Sequence, residues 1–282
     1  MTKRAALATV IALAMIGVFV HAQFGDKPAQ LSTVKIKDDL FVIHNDFVPG
    51  NTTALVTPQG VVLVDDKFEI DHDNIMAQLK KITNQPVKYV INTHYHADHS
   101  GGNAKLQALG AQVVTSENAR AKMVDVKQPG QANITLENTL RLYVGGKRIE
   151  VRYFGRSHTD GDVVVLFPDH RVLSAGDMFT FGDATPELVD YAGGGSAKDW
   201  TRTLDGMLQL DFDSVVPGHG NVTTKQEVRK FRETTLTLRN RVHDMLAQNK
   251  SRAEIEKMLR SDFHFADLHV MVSLDGMMAE LR

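Results

Sequence analysis

A dense cluster of metal-binding side chains constrains this chain more than any other feature. His94, His96, Asp98 and His99 fall within six residues, directly after the apolar run Val87–Ile91. The run predicts a buried strand, and the glycines after the cluster predict a loop that leads into a short helix. Imidazole nitrogens and carboxylate oxygens suit a divalent metal such as zinc, whereas without a metal they would repel or lie unpaired. We therefore expect an α/β protein with a metal site on a loop at a strand end.

Three further segments each place a metal-binding side chain just past a predicted strand. These side chains are His158, Asp177 and His219. The last of them lies between Gly218 and Gly220, which allow backbone segments to approach closely. Alone, a histidine or aspartate in such a turn is more often a turn or capping residue than a metal ligand. Together with the first cluster, the three positions predict a site assembled from several strand ends at one edge of a sheet.

In chain order, the four segments have the form H-x-H-x-D-H, G-x-x-H-T-x-G, G-D and G-H-G. This arrangement resembles the metallo-β-lactamase superfamily over nearly the whole chain after residue 22. The resemblance implies an α/β fold of four layers, an αββα sandwich. The predicted elements are consistent with it, because strands, a helix, a strand and a helix are followed by further strands and then helices. This order favours two α/β halves with mixed sheets over a doubly wound parallel sheet.

The resemblance also implies the ligands of two Zn²⁺ ions per chain. Three histidines correspond to the first site: His94, His96 and His158. Three residues correspond to the second site: Asp98, His99 and His219. Asp177 resembles the carboxylate that bridges the metals in the glyoxalase II-like and lactonase-like branches. Relatives that hold two iron ions carry a glutamate at the position of His96, so a histidine there favours zinc.

The reaction that the resemblance implies is hydrolysis by a metal-bound hydroxide. Two cations lower the pKa of a shared water from about 15.7 towards about 7, and the hydroxide attacks a carbonyl carbon. Asp98 is expected to act catalytically by orienting this nucleophile. The sequence has no cysteine and no serine nucleophile elbow, so it indicates no other nucleophile. The expected partner is a small-molecule substrate with a cyclic amide or ester carbonyl, and β-lactams are candidates.

The residues around Asp177 leave the substrate open. The classical β-lactamase branches carry cysteine or serine at this position, and the cysteine branch has a lysine three residues on, where this chain has Thr180. Three residues are candidate replacements for that lysine as an anchor for a substrate carboxylate: Lys198, Arg156 and Ser157. A lactone or thioester hydrolase is therefore an alternative. Another is a non-hydrolytic periplasmic metal-binding relay protein of the quinoprotein-associated type.

Residues 1–22 predict a secretory signal peptide. Lys3 and Arg4 precede the uncharged apolar stretch 5–20, which is short for a membrane span, and Val20-His21-Ala22 is similar to a cleavage site. An N-terminal membrane anchor is the alternative.

Cleavage would leave residues 23–282 as one hydrolase domain, periplasmic or secreted, without stable membrane association. Its 30 basic and 34 acidic residues give a net charge of about −4, counted from the 32 and 34 of the full chain less two basic residues. The absence of a basic stripe argues against a nucleic-acid partner. The sequence does not indicate an oligomeric state.

Two helix starts are predicted from their caps. Asp71 or Asp73 is expected to cap the helix that precedes the first cluster. Ser196 with Asp199 predicts a capping box at the start of a helix in the second half. Hairpins are expected in both halves, where apolar residues alternate on either side of glycine-containing turns.

Overall fold

Two β-sheets and eight α-helices make up the described part of the chain, residues 27–182 and 188–282 of a computed structural model. The predicted signal peptide, residues 1–22, lies outside the described residues and stays a prediction, as does the domain start at residue 23. Within those two ranges, the helices include none that is both long and apolar enough to cross a membrane.

The first sheet has seven strands that lie side by side in chain order. They are β1 (Ser32–Lys35), β2 (Leu40–His44), β3 (Thr52–Thr57), β4 (Gly60–Val64), β5 (Val87–Ile91), β6 (Gln112–Ser116) and β7 (Ile134–Leu136). Strands β1 to β4 pair in antiparallel fashion, and β4 to β7 pair in parallel. The parallel part needs crossover connections. These contain α1 (His72–Lys80), α2 (Ala97–Ser100), α3 (Asn103–Ala108) and α4 (Glu117–Asp125).

The second sheet has six strands in the order β13-β12-β11-β10-β9-β8. They are β8 (Thr139–Val144), β9 (Lys147–Tyr153), β10 (Val163–Phe167), β11 (Val172–Gly176), β12 (Ser214–Pro217) and β13 (Thr223–Thr224). Only β11 and β12 are parallel neighbours in this sheet, and α5 (Ala197–Leu208) lies between them in the chain. Three helices end the chain: α6 (Lys225–Ala247), α7 (Arg252–Phe263) and α8 (Asp267–Glu280).

Strand β10 shows how the two-residue period of a strand divides the side chains between layers. Val163, Val165 and Phe167 lie in the core between the two sheets. Val164 and Leu166 lie in the core that the second sheet shares with the C-terminal helices. Strand β4 divides its side chains in the same way between the inter-sheet core and a third core beneath α1, α3 and α4. Three cores thus separate four layers, and the predicted αββα sandwich is confirmed.

The predicted helix caps are only partly confirmed. The Ser196 hydroxyl accepts from the Asp199 backbone N–H at 3.0 Å. The Ser196 backbone N–H donates to the Ser157 carbonyl at 2.9 Å, so the second half of the capping box does not form. The side chain of Asp71 does not cap α1. It accepts instead from the Ala29 backbone N–H at 2.6 Å and so ties the chain before β1 to this helix.

Candidate metal centre

The seven predicted ligands lie together at one edge of the sandwich. The first sheet supplies four of them from the loop after β5 and from α2: His94, His96, Asp98 and His99. The second sheet supplies three from the loop before β10 and from the ends of β11 and β12: His158, Asp177 and His219. The strand ends predicted to converge therefore do converge.

The donor atoms of these residues form two groups, and within each group they all lie within 4.8 Å of one another. The first group consists of His94, His96, His158 and Asp177. The second group consists of Asp98, His99 and His219. This is the division that the resemblance implied for two metal sites.

The Asp177 carboxylate lies between the two groups. Its Oδ1 is 3.2 Å from His99 Nε2, and its Oδ2 is 3.4 Å from His219 Nε2 and 3.6 Å from His158 Nε2. Burial alone would raise the pKa of Asp177, but His219 and His99 more than offset it and hold this pKa well below its usual range. A Cβ on Gly218 would lie 1.9 Å from Asp177 Oδ1, which is why a glycine precedes His219.

His94 contributes an unprotonated ring nitrogen to the first group. Its Nδ1 lies 3.1 Å from the Thr93 hydroxyl, whose single proton goes to the Asp65 carboxylate at 2.8 Å. The hydroxyl therefore accepts from Nδ1–H, which leaves the lone pair of His94 on Nε2. That Nε2 is buried and has no hydrogen-bond partner among the described residues. Burial, with His99 and His96 nearby, holds the pKa of His94 well below its usual value, so the ring is neutral as a metal ligand requires.

His96 and His158 each donate a hydrogen bond from one ring nitrogen, and their other ring nitrogens face each other. His96 Nε2 donates to Asp190 Oδ2 at 2.9 Å, and His158 Nδ1 donates to the Leu188 carbonyl at 2.5 Å. The free nitrogens, His96 Nδ1 and His158 Nε2, are 3.0 Å apart. Asp190 also accepts from the Tyr95 hydroxyl at 2.6 Å. Because the outer partners fix which nitrogen keeps its lone pair, a shared cation would satisfy both facing atoms.

The second group is built in the same way. His99 Nδ1 donates to Asp65 Oδ2 and His219 Nδ1 donates to the Phe47 carbonyl, both at 2.8 Å. Their Nε2 atoms are 3.3 Å apart. Asp98 Oδ2 lies 3.4 Å from the Nε2 of His219 and 3.5 Å from that of His99. Five imidazoles and two carboxylates, with no thiolate, are a donor set that suits zinc.

Two carboxylates that position the histidines were not predicted. Asp65 is buried and accepts three hydrogen bonds, from the backbone N–H and hydroxyl of Thr93 and from His99. It follows β4 directly, as Asp177 follows β11, so its place at a strand end was a usable signal. Asp190 lies in no helix or strand and in no recognisable motif.

The candidate substrate anchors fare differently. Ser157 is fully buried, and its hydroxyl donates to Asp162 at 2.5 Å, so this candidate is wrong. The Arg156 guanidinium donates to the carbonyls of Gly194 and Gly195 at 2.7 and 2.9 Å. Its donors are thus largely committed to the backbone.

Comparison with known proteins agrees with this geometry. The family model of the metallo-β-lactamase superfamily matches residues 45–219. A metallo-β-lactamase type 2 of Elizabethkingia meningoseptica is 30% identical over 229 residues, which cover 78% of this chain and 89% of the relative. The metallo-β-lactamase IND-1 of Chryseobacterium indologenes is 28% identical over 73% of this chain and 87% of its own. The solved structure of a metallo-β-lactamase from Pontibacter korlensis has the same fold, with a TM-score of 0.66 at 24% identity, over 73% of this chain and 99% of that one. With its two groups of metal-binding side chains, the chain therefore belongs to the metallo-β-lactamase superfamily and is a metallo-hydrolase.

Proposed function

We propose that this chain is an exported hydrolase that holds two zinc ions and cleaves a small substrate at a cyclic amide or ester carbonyl. We assign the histidines of the first group to one ion and the second group to the other, with Asp177 bridging them. The observation that carries the proposal is the position of Asp177, whose carboxylate oxygens lie within 3.6 Å of histidines from both groups.

The side chains around the centre have distinct parts in the proposed reaction. Zinc, when bound, supplies Lewis acidity and an activated water. Asp98 is the more exposed of the two carboxylates, at 19% against 10% for Asp177, so it is placed to accept a proton from the nucleophile and to orient it. The ring of Phe47 is 5.1 Å from the ring of His219, and Phe47 is 44% exposed. It offers an apolar wall beside the reacting carbonyl.

β-Lactams are the first substrate class to test, because the relatives named above are metallo-β-lactamases. A second class, lactones and thioesters, is favoured by Asp177 itself. A carboxylate between two cations neutralises part of their charge, which lowers their power to stabilise a poor leaving group. Strained lactams and activated esters need less help than ordinary amides. We therefore expect measurable but modest β-lactamase activity.

Export is proposed from the sequence of residues 1–22 alone. Expressed with these residues in a Gram-negative host, the protein should be recovered from the periplasm with an N-terminus near Gln23. Recovery of a chain that begins at Met1 in the membrane fraction would support the anchor instead.

The proposal is tested by counting zinc and measuring turnover on the purified protein. Elemental analysis should give about two zinc ions per chain, the number of ligand groups. His94→Ala should lose the first ion preferentially, and His219→Ala the second. His243→Ala is the matched control, because the side chain of this histidine is 62% exposed on α6 and its Nδ1 lies 3.4 Å from the carboxylate of the neighbouring Asp244.

Turnover is measured with nitrocefin, a carbapenem, a homoserine lactone, a thioester and a phosphodiester. Loss of turnover in both ligand variants, with the control unaffected, is the expected result. One zinc or none in wild-type protein purified with zinc present would refute the two-metal assignment. No turnover of any of these substrates by the two-zinc protein would refute the hydrolytic proposal.

A further inference from the structure

One short segment orients two of the three histidines in the first group. The Leu188 carbonyl accepts from His158 Nδ1 at 2.5 Å, and the Asp190 carboxylate accepts from His96 Nε2 at 2.9 Å. Residues 188–191, which form this segment, belong to no helix or strand. The position of this segment therefore depends on what it packs against.

Helix α8 holds the segment on both sides of Asp190. The Val189 backbone N–H donates to the Ser273 hydroxyl at 2.9 Å, and the Tyr191 hydroxyl donates to Glu280 Oε2 at 2.8 Å. Val189 and Ser273 are both fully buried. A buried backbone N–H that loses its acceptor is costly, so this contact is a strong constraint on the segment.

Glu280 extends the contact to the start of α5. Its carboxylate accepts from the Ser196 hydroxyl at 2.5 Å and from the Lys198 backbone N–H at 3.2 Å, besides the bond from Tyr191. The fit between helix and segment is close, because a Cβ on Gly276 would lie 2.3 Å from the Tyr191 ring. Helix α8 thus contacts the segment through the side chains of Ser273 and Glu280, with Gly276 allowing close approach between them.

The helix itself is firmly placed. Val270, Leu274 and Met277 are buried in the core beside the second sheet. Helix α8 also lies beyond residue 219, where the match to the family model ends. A part of the chain outside the matched region therefore supports the part that carries the predicted ligands.

We infer that α8 is a positioning element of the metal centre: through Ser273 and Glu280 it fixes residues 188–191, and these fix His158 and His96. The inference rests on the proposed function, because it takes these histidines as ligands of the first zinc ion. The second group is held differently. His99 and His219 are oriented by Asp65 and by the Phe47 carbonyl, far along the chain from the segment that α8 holds. Loosening α8 should therefore weaken the first site selectively.

The test uses the full chain with the double substitution Ser273→Ala and Glu280→Gln. Asp275→Asn is the matched control, because it is another acid-to-amide change on α8, and its carboxylate accepts from Arg252 Nε of α7 at 2.7 Å instead of contacting the segment. Zinc affinities are measured by competition with a chromogenic chelator. We expect the first site of the double variant to weaken by about 10-fold, the lower end of the effect of losing an outer partner of a metal ligand. The second site and the control should match wild type.

A second measurement needs no metal. Long-range ¹H–¹⁵N NMR of the metal-free protein reports which ring nitrogens carry protons. Wild type and control should show His158 protonated at Nδ1 and His96 at Nε2, whereas the double variant should show mixed tautomers for both. If the double variant does not fold, Tyr191→Phe removes only one of the hydroxyls bonded to Glu280, and a smaller change in the same direction is expected.

The outcomes separate the two proposals. Unchanged tautomers and an unchanged first-site affinity in the folded variant would overturn the role of α8. Equal weakening of both sites would also overturn it, because that result indicates general destabilisation. Fewer than two zinc ions in wild type would count against the proposed function, while the tautomers of the metal-free protein would still decide the role of α8.

Discussion

Asp65 connects the two groups of the metal centre through hydrogen bonds alone. Its Oδ2 accepts from His99 Nδ1 and from the Thr93 hydroxyl, each at 2.8 Å, and its Oδ1 accepts from the Thr93 backbone N–H at 2.7 Å. The Thr93 hydroxyl in turn orients His94. Asp65→Asn keeps the size of this side chain but replaces one oxygen with an NH₂ group, which can only donate.

The expected effect follows from which atom the amide can satisfy. If the amide oxygen stays with the Thr93 N–H, the amide nitrogen faces His99 Nδ1–H, and two donors then oppose each other. His99 relieves this by carrying its proton on Nε2, the atom that faces His219 and Asp98. Loss of an outer partner costs about 10–100-fold in metal affinity, or about 1.4–2.8 kcal/mol of binding free energy. We expect binding of the second zinc ion to weaken within this range and binding of the first to weaken less, because Asp65 contacts His99 directly but reaches His94 through the Thr93 hydroxyl.

The assay is stepwise zinc competition with a chelator, with elemental analysis after dialysis. Asp66→Asn is a matched control. Burial raises the pKa of Asp66 well above its usual value, which favours the uncharged form of its carboxyl group, and an amide resembles that form closely. Asp66 accepts from the Gly102 backbone N–H at 3.1 Å and, within the described residues, makes no hydrogen bond to a histidine ring. If Asp65→Asn binds both zinc ions as tightly as Asp66→Asn does, His99 does not depend on Asp65 for its orientation.

Two further predictions concern other charged groups. Asp177→Ala should lower the affinity for both zinc ions by about 10–100-fold, since Asp177 lies against histidines of both groups. Asp177→Cys should shift turnover from esters towards β-lactams. Unchanged zinc binding and turnover in Asp177→Ala would show that Asp177 is an ordinary turn residue. Lys67 is fully buried, and burial lowers its pKa to about 7. Between about pH 7 and pH 10, Lys67 therefore carries a proton in the unfolded chain but not in the folded one. Its contribution to the free energy of unfolding should rise with pH in this range by up to about 1.4 kcal/mol per pH unit, and it should be lost as the pH falls through about 7. Urea unfolding at several pH values should show this slope in wild type and not in Lys67→Met, and equal slopes would contradict the prediction.

The convergence of the seven predicted ligands could be foreseen because each side chain carries its own chemical signal at a strand end. Histidine and aspartate side chains can bind a metal, and ends of neighbouring strands meet at one edge of a sheet. Alternation within runs such as β10 likewise fixes which side chains enter which layer, because a strand has a period of two.

The partners that orient the histidines could not be foreseen in the same way. His219 and His158 are held by the carbonyls of Phe47 and Leu188. Every residue has a backbone carbonyl, so residue type gives no sign of which one will be used. The capping box at Ser196 failed for a related reason, since the Ser157 carbonyl, brought close by tertiary packing, took the N–H that the Asp199 side chain was expected to bind.

The division of each group between the two sheets has a consequence for assembly. In the first group, His94 and His96 come from the first sheet and His158 comes from the second. In the second group, Asp98 and His99 come from the first sheet and His219 comes from the second. Neither half of the chain holds a complete set, so each cation would act as a reversible cross-link between the sheets. Two fragments divided between β7 and β8 should then reassociate more tightly in the presence of zinc than without it. Because ligands from both sheets would hold each cation, local opening of the sandwich at this edge should speed the release of metal from the intact chain.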